Sequence, residues 1–313
     1  MQVSCALQEA QPPTIALERV HDSGAHRIAF SPDGNRLASG GLRGKLHIWS
    51  VRDGRRIATL DGHRSSIRGL GWLNDEVLVS ADRSGLLNVW VLSSARVTDS
   101  IRFGVIQNIA MARDGAWLLV AENARIHKLS LPSLRPMVAG TVGSRILSVA
   151  ISHAGERVAV STEDGRVVLM DENLDPVTEL RRPSRDAQDL RFSPNGKTLL
   201  AGGWFRLLVW DLEQHTLEER PTEHLGKVIS VDISPDGRQW LSLGRQTDSN
   251  VRLVDAASNR VIRRFKAHEL CGWQVRFSPD GRYAASSAED GSVHIHDLHA
   301  PYRPVVFYPV FDD

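Results

Sequence analysis

Three groups of residues have the types and spacing that could do chemistry. His294, His296 and His299 form a histidine trio near the C-terminus. The first two are two apart, so on a strand they share a face, as a transition-metal site would want. A third ligand at about 2 Å is still needed. The simpler reading is that His296 fills a structural aromatic position beside a half-exposed His294. Repeated aspartates form the second group. Calcium would need several carboxylates converging on one ion, whereas an aspartate in a turn ordinarily bonds nearby backbone. The third is Gly226-Lys227, which lacks the upstream glycine and following hydroxyl of a phosphate loop. No GxSxG, HExxH or GxGxxG occurs. No catalytic residue, metal or cofactor is expected.

Composition bounds the rest. The 313 residues are 42% hydrophobic and 24% charged, with a formal net charge of +1. That is soluble globular composition, and it gives no electrostatic case for nucleic acid. No apolar run approaches the ~20 residues of a membrane span. Of the two cysteines, Cys5 and Cys271, the first stands in a polar leader, so no disulfide framework is expected. The leader also lacks the basic start and apolar segment of a signal peptide. A cytoplasmic protein is the first expectation. Val3-Ser4-Cys5 resembles the remnant of a lipoprotein cleavage box, so a periplasmic or lipid-anchored envelope protein is the alternative. Lysine occurs only at 45, 128, 197, 227 and 266, and this arginine bias suggests a GC-rich, bacterial genome.

The elements that must carry these residues come from a repeat. FSPDG at Phe30, FSPNG at Phe192, ISPDG at Ile233 and FSPDG at Phe277 are near-copies. Marking each unit by the apolar residue that opens this turn gives Phe30, Trp72, Met111, Ile151, Phe192, Ile233 and Phe277. The gaps are 42, 39, 40, 41, 41 and 44 residues, the range of a four-stranded propeller blade. Before each mark runs a period-two strand such as RIAF or SVDI. Proline presets φ for the turn, aspartate bonds backbone, and glycine takes the left-handed position. Second, third and poorer fourth strands follow, with no helical pattern. One blade cannot bury its apolar faces alone; seven around an axis can. The fold class expected is all-β, a seven-bladed β-propeller with four antiparallel strands per blade.

The SPDG turns, Gly62-His63, the Ser-Ala-Glu-Asp-Gly stretch and Trp210-Asp211 resemble the WD-repeat β-propellers over roughly residues 14 to 308. The resemblance implies a hydrogen-bonded His, Ser or Thr, Asp and Trp within a blade. It maps onto His21, Ser39 and Trp49 in blade 1, with Arg43 in the acid's place. It maps onto His63, Ser80 and Trp90 in blade 2, with Ser84 where the acid is expected. Blade 6 offers His224, Ser242 and Asp248, with Val254 for the tryptophan. Blade 7 offers His268, Ser286 and Asp290, with His296 for the tryptophan. On this mapping no blade keeps all four, and blades 3, 4 and 5 are degenerate.

Residues 1–13 are expected to be a disordered leader and 14–313 a single propeller. Thr14–Val20 is expected to close the last blade, with Pro304–Phe307 the competing segment. The resemblance implies partner binding on the face bearing the start of each first strand. The residues four before each mark, His26, Arg68, Gln107, Leu147, Gln188, Ile229 and Trp273, should ring that face. Arg145, Lys227 and Cys271 neighbour them, and nearby turns add Arg43, Arg83, Trp204 and Phe205. Arginine and tryptophan are frequent interface anchors. The expected function is a non-catalytic scaffold presenting His26, Arg68, Arg83 and Trp273 to an acidic or aromatic protein segment. Such a protein would be monomeric alone or a subunit of a larger complex. A propeller using its central channel for a small ligand or metal is the remaining alternative.

Overall fold

The computed structural model describes residues 11, 13–183, 187–245, 248–266 and 268–299, and the backbone of 306–309. Seven sheets follow one another around an axis, six of four antiparallel strands and one, blade 7, of five. Blade 1 shows the plan: Ala25–Phe30 is innermost, then Arg36–Gly41, Leu46–Ser50 and outermost Arg56–Leu60. The other innermost strands are Ile67–Asn74, Ile106–Met111, Ile146–Ile151, Gln188–Phe192, Val228–Ile233 and Gly272–Phe277. Among the described residues the one helical element is a 3-10 turn at Leu92–Ser94.

The repeated turn behaves as its chemistry requires. In blade 1 Gly34 N donates to Ser31 O at 2.9 Å, and Asp33 Oδ1 accepts from Asn35 N at 2.9 Å. Gly34 has φ 72°, and Gly196, Gly237 and Gly281 at the equivalent turns have φ 68°, 75° and 72°. Only glycine takes such values without steric cost. These aspartates are thus engaged by their own turns. Among the described residues no group of three His, Cys, Asp or Glu side chains could hold a metal ion.

Both terminal segments join blade 7. Ile15–Glu18 pairs antiparallel with Val293–Asp297, Ile15 facing Ile295. Val306–Pro309 then pairs parallel on the outside of Ile15–Glu18, making a five-stranded sheet. Of the competing closure segment, Val306 and Phe307 belong to that strand, and Pro304 and Val305 lie outside the described residues. Most of the expected disordered leader, Cys5 included, also lies outside them. Gln11 does not: its N–H donates to Arg264 O at 2.7 Å, and its carbonyl accepts from Lys266 N at 2.7 Å.

Second- and third-strand residues from neighbouring blades interleave as the core. Trp49, Trp90 and Trp210 are among its largest fully buried side chains. Each brings an indole N–H that needs an acceptor once buried. Trp49 Nε1 donates to Ser39 Oγ at 2.9 Å and Trp90 Nε1 to Ser80 Oγ at 2.7 Å. Trp210, in a degenerate blade, uses Arg181 O at 2.9 Å.

Candidate functional site

Blade 2 corrects the tetrad mapping. Its acid is Asp82, at the end of the second strand, two residues before Ser84. Asp82 Oδ2 lies 3.0 Å from His63 Nδ1, and Ser84 Oγ donates to Asp82 Oδ1 at 2.7 Å. His63 Nε2 is 2.6 Å from Ser80 Oγ, so His63, Ser80, Asp82 and Trp90 are one network. Burial pushes the Asp82 carboxyl up, but the bonds from Ser84 and His63 outweigh it and hold it below its usual value. In blade 1, His21 Nε2 bonds Ser39 Oγ at 2.8 Å, and the position matching Asp82 is Gly41, packed against His21. Burial, reinforced by His47 and Lys45, lowers the His21 pKa to about 3.

Blades 6 and 7 take their acids from loops. His224 contacts Ser242 Oγ at 2.9 Å and Asp248 Oδ2 at 3.2 Å, and Arg252 bonds both His224 and Asp248. In blade 7 His268 Nε2 meets Ser286 Oγ at 2.9 Å, but its Nδ1 meets Ser292 Oγ at 2.6 Å. Asp290 is one step removed at 3.8 Å and accepts from Ser292 instead. His296 sits fully buried, and among the described residues neither ring nitrogen has a hydrogen-bond partner. It is a space-filler held neutral by burial, with the nearby His294 and Arg263 adding to the effect.

The structure brings together the residues that stand four before each mark. His26, Arg68, Gln107, Leu147, Gln188, Ile229 and Trp273 line one cavity of about 350 Å³ at the upper mouth of the channel. Arg83 and Arg145 line it too, whereas Arg43, Trp204 and Lys227 do not. Arg43 is exposed on the turn between the second and third strands of blade 1. Trp204 and Lys227 face each other in a bridge at blades 5 and 6.

Each innermost strand shifts register at the mouth. In blade 1 the pairs run Ala25 with Gly41, then Arg27 with Gly40, so His26 is the unpaired residue. The same shift leaves Arg68, Gln107, Leu147, Ile229 and Trp273 unpaired, and one spans Gln188 to Arg191. A bulge turns two successive side chains toward one side and breaks strict alternation. That is why Arg27, Asn108, Asp189 and Gln274 also line the cavity, which period-two counting misses.

Three aromatic and cationic groups stack at the mouth. The Arg245 guanidinium lies 4.4 Å from the Trp273 ring centroid, and His26 meets Trp273 edge-on at 4.5 Å. His26 Nδ1 donates to Ile67 O at 2.6 Å, and burial with the adjacent Arg27 keeps the ring neutral. Arg27 Nε donates to Arg68 O at 2.9 Å. Burial and the facing Arg68 bring the Arg27 pKa down to about 10. Deeper, Asp189 takes both Nη atoms of Arg276, at 2.8 and 3.0 Å, and Arg191 at 3.0 Å. Arg191 also reaches Asp232 at 3.3 Å. Burial raises the Asp232 pKa to about 6, against the pull of Arg191. Below lies a second cavity of about 560 Å³, reaching the turn prolines Pro32, Pro235 and Pro279.

Large exposed apolar side chains are not evenly spread. Of the nine among the described residues, five, Ile57, Val97, Met137, Val177 and Ile262, lie on outermost strands. The other four lie on top-face loops: Val105 (44% exposed), Phe205 (51%), Leu225 (72%) and Leu270 (53%). Among the described residues none lies on the turns of the opposite face. Phe205 N donates to Gly226 O at 2.9 Å, which ties the Phe205 turn to the loop that carries Leu225.

The family description "WD domain, G-beta repeat" matches residues 15–50, 54–91 and 259–297. The first match begins on the strand that closes blade 7, so each sequence unit straddles two blades. The chain is 24% identical over 261 residues to a guanine nucleotide-binding protein subunit beta of Arabidopsis thaliana, covering 80% of this chain and 61% of the relative. It is 25% identical over 303 residues to Protein tipD of Dictyostelium discoideum, covering 92% and 42%. A 118-residue stretch is 35% identical to the small ribosomal subunit protein RACK1y of Oryza sativa subsp. japonica, covering 36% and 33%. The matches therefore span 61% or less of these relatives' own lengths. All three sources are eukaryotic, which lends the expected bacterial origin no support.

Proposed function

We infer that this chain, which belongs to the WD-repeat β-propellers, works as a non-catalytic interaction scaffold that docks a protein segment on its top face. The observation that carries the reading is the sidedness of the apolar surface. Among the described residues, every large exposed apolar side chain off the outermost strands stands on that face, around a mouth lined by arginines and Trp273. Apolar and aromatic anchors with arginine beside them are what interfaces concentrate at their centres. Two of the relatives carry subunit names, a guanine nucleotide-binding protein subunit and a small ribosomal subunit protein. Membership in an assembly is the use that this likeness favours. The closed ring supplies stiffness, so little ordering entropy is lost when a partner docks.

The test is partner capture with face-specific variants. Phe205→Ser with Leu225→Ser, and separately Arg83→Glu, alter exposed top-face side chains. Arg238→Glu alters an exposed turn on the other face. Partners lost with the top-face variants and kept with Arg238→Glu are expected. Partners kept by both top-face variants would overturn the reading.

A further inference from the structure

The channel's charge is out of proportion to the chain's. The whole protein carries 38 Lys and Arg against 37 Asp and Glu. The walls of the two cavities carry Arg27, Arg68, Arg83, Arg113, Arg145, Arg191, Arg245 and Arg276, against Asp189 and Asp232 alone. Both aspartates are already engaged by Arg191 and Arg276. At the upper mouth Arg145 is paired with Glu163 at 2.5 Å. Among the described residues, that leaves Arg27, Arg68, Arg83 and Arg245 with no carboxylate in ion-pair reach. Arg245 lies over the face of Trp273.

Gathering like charges in a partly desolvated cavity is unfavourable unless an anion joins them. We propose that the upper mouth is a phosphate-ester site, in which Arg68, Arg83 and Arg245 hold the phosphate and Trp273 covers the carbon side. A carboxylate would offset one of the four unmatched charges. A phosphomonoester carries about −1.5 to −2 at neutral pH and offers three strong acceptor oxygens, which suits several guanidinium forks at once. The walls supply a matching apolar portion in Val105, Leu147 and Ile229. A cavity of about 350 Å³ admits either a phosphorylated side chain of a docked protein or a compact phosphorylated small molecule. The inference deepens the docking reading above and rests on it for the first of these sources.

Calorimetry on the full chain tests it, at constant ionic strength near neutral pH. The probes are inorganic pyrophosphate and a short peptide with phosphoserine, serine or glutamate at one position. Both phosphorylated probes are expected to bind, and the serine and glutamate peptides at least tenfold more weakly. Binding of the phosphopeptide well above pyrophosphate points to a phosphorylated segment as the source; the reverse points to a small molecule. Arg83→Gln removes an exposed group and should weaken either probe about ten- to hundredfold, the loss of a charge-assisted hydrogen bond or two. Arg68→Gln, accepted only with an unchanged melting temperature, should do the same, and Arg238→Gln should change nothing. No binding of either phosphorylated probe overturns the proposal, as does equal binding of glutamate and phosphoserine peptides. Top-face partner capture that survives those results leaves the docking reading intact. Phosphate binding with partner capture insensitive to the top face would sink the docking reading and keep this site.

Discussion

Replacing Ser80 by alanine removes one oxygen from the interior of blade 2. That oxygen accepts from Trp90 Nε1 at 2.7 Å and meets His63 Nε2 at 2.6 Å, and all three residues are buried. Each bond contributes roughly 1 kcal/mol net, but a buried group left unpaired costs about 1–3 kcal/mol. Two groups are stranded at once, so Ser80→Ala should cost about 2–6 kcal/mol. Ser161 is the control. It is equally buried on the second strand of blade 4, but among the described residues its hydroxyl has no partner. Ser161→Ala should be neutral or stabilising by up to about 1 kcal/mol, because an unpaired buried hydroxyl is a liability. Urea midpoints with tryptophan fluorescence as the probe read both changes, provided the m-value is constant. Equal midpoints for the two variants, or a Ser80→Ala loss under about 0.5 kcal/mol, would refute the argument that these networks stabilise the blades.

The interior titrations predict opposite slopes with pH. His21, His63, His224, His268 and His296 are held neutral by burial, so the unfolded chain binds protons first, and stability falls as pH drops below about 6.5. His296→Phe should flatten part of that fall in urea midpoints measured from neutral pH to about pH 5. Asp232 has the opposite sign: its raised folded value, about 6, makes its contribution shrink as pH rises from about 4 to 6. Asp232→Asn, compared with wild type over that window, should remove a difference of up to about 3 kcal/mol; identical profiles would show the carboxyl is not desolvated. Gly69→Ala would bring a Cβ to 2.2 Å from Ile109 Cγ1 on the next innermost strand. It should lower stability by about 1–3 kcal/mol through overpacking, and an unchanged melting temperature would mean that blades 2 and 3 can separate freely.

The seven-fold period and the turn chemistry are legible because every blade needs the same hairpin. Phe30, Phe192, Ile233 and Phe277 announce it without any packing information. The acid of blade 2 is not legible in the same way. Counting along a loop puts Ser84 in its place, whereas the second strand runs on far enough to bring Asp82 to the histidine. Arg27 and Arg245 are hidden for different reasons. The first depends on a bulge that period-two counting cannot see, and the second stands in a loop with no period at all. Leu225 and Leu270 likewise carry no signal, since a single leucine in a loop is read as exposed or buried only once its neighbours are placed. Thr14–Val20 and the C-terminal segment both read as strands; which edge each takes is a matter of tertiary pairing.

The strand that closes the ring also sets a clock. Ile15 is synthesised 280 residues before its partner Ile295. At ~5–20 residues per second, Ile15–Glu18 waits roughly a quarter of a minute to a minute with its backbone edge unpaired. During that interval six blades can form while the seventh cannot. The nascent arc has an open side at each end, and a chaperone or a second nascent chain would meet it there. A permuted chain beginning at the Ala25–Phe30 strand and ending after Ile15–Glu18 would abolish the wait, with blade 7 completed by the residues that leave last.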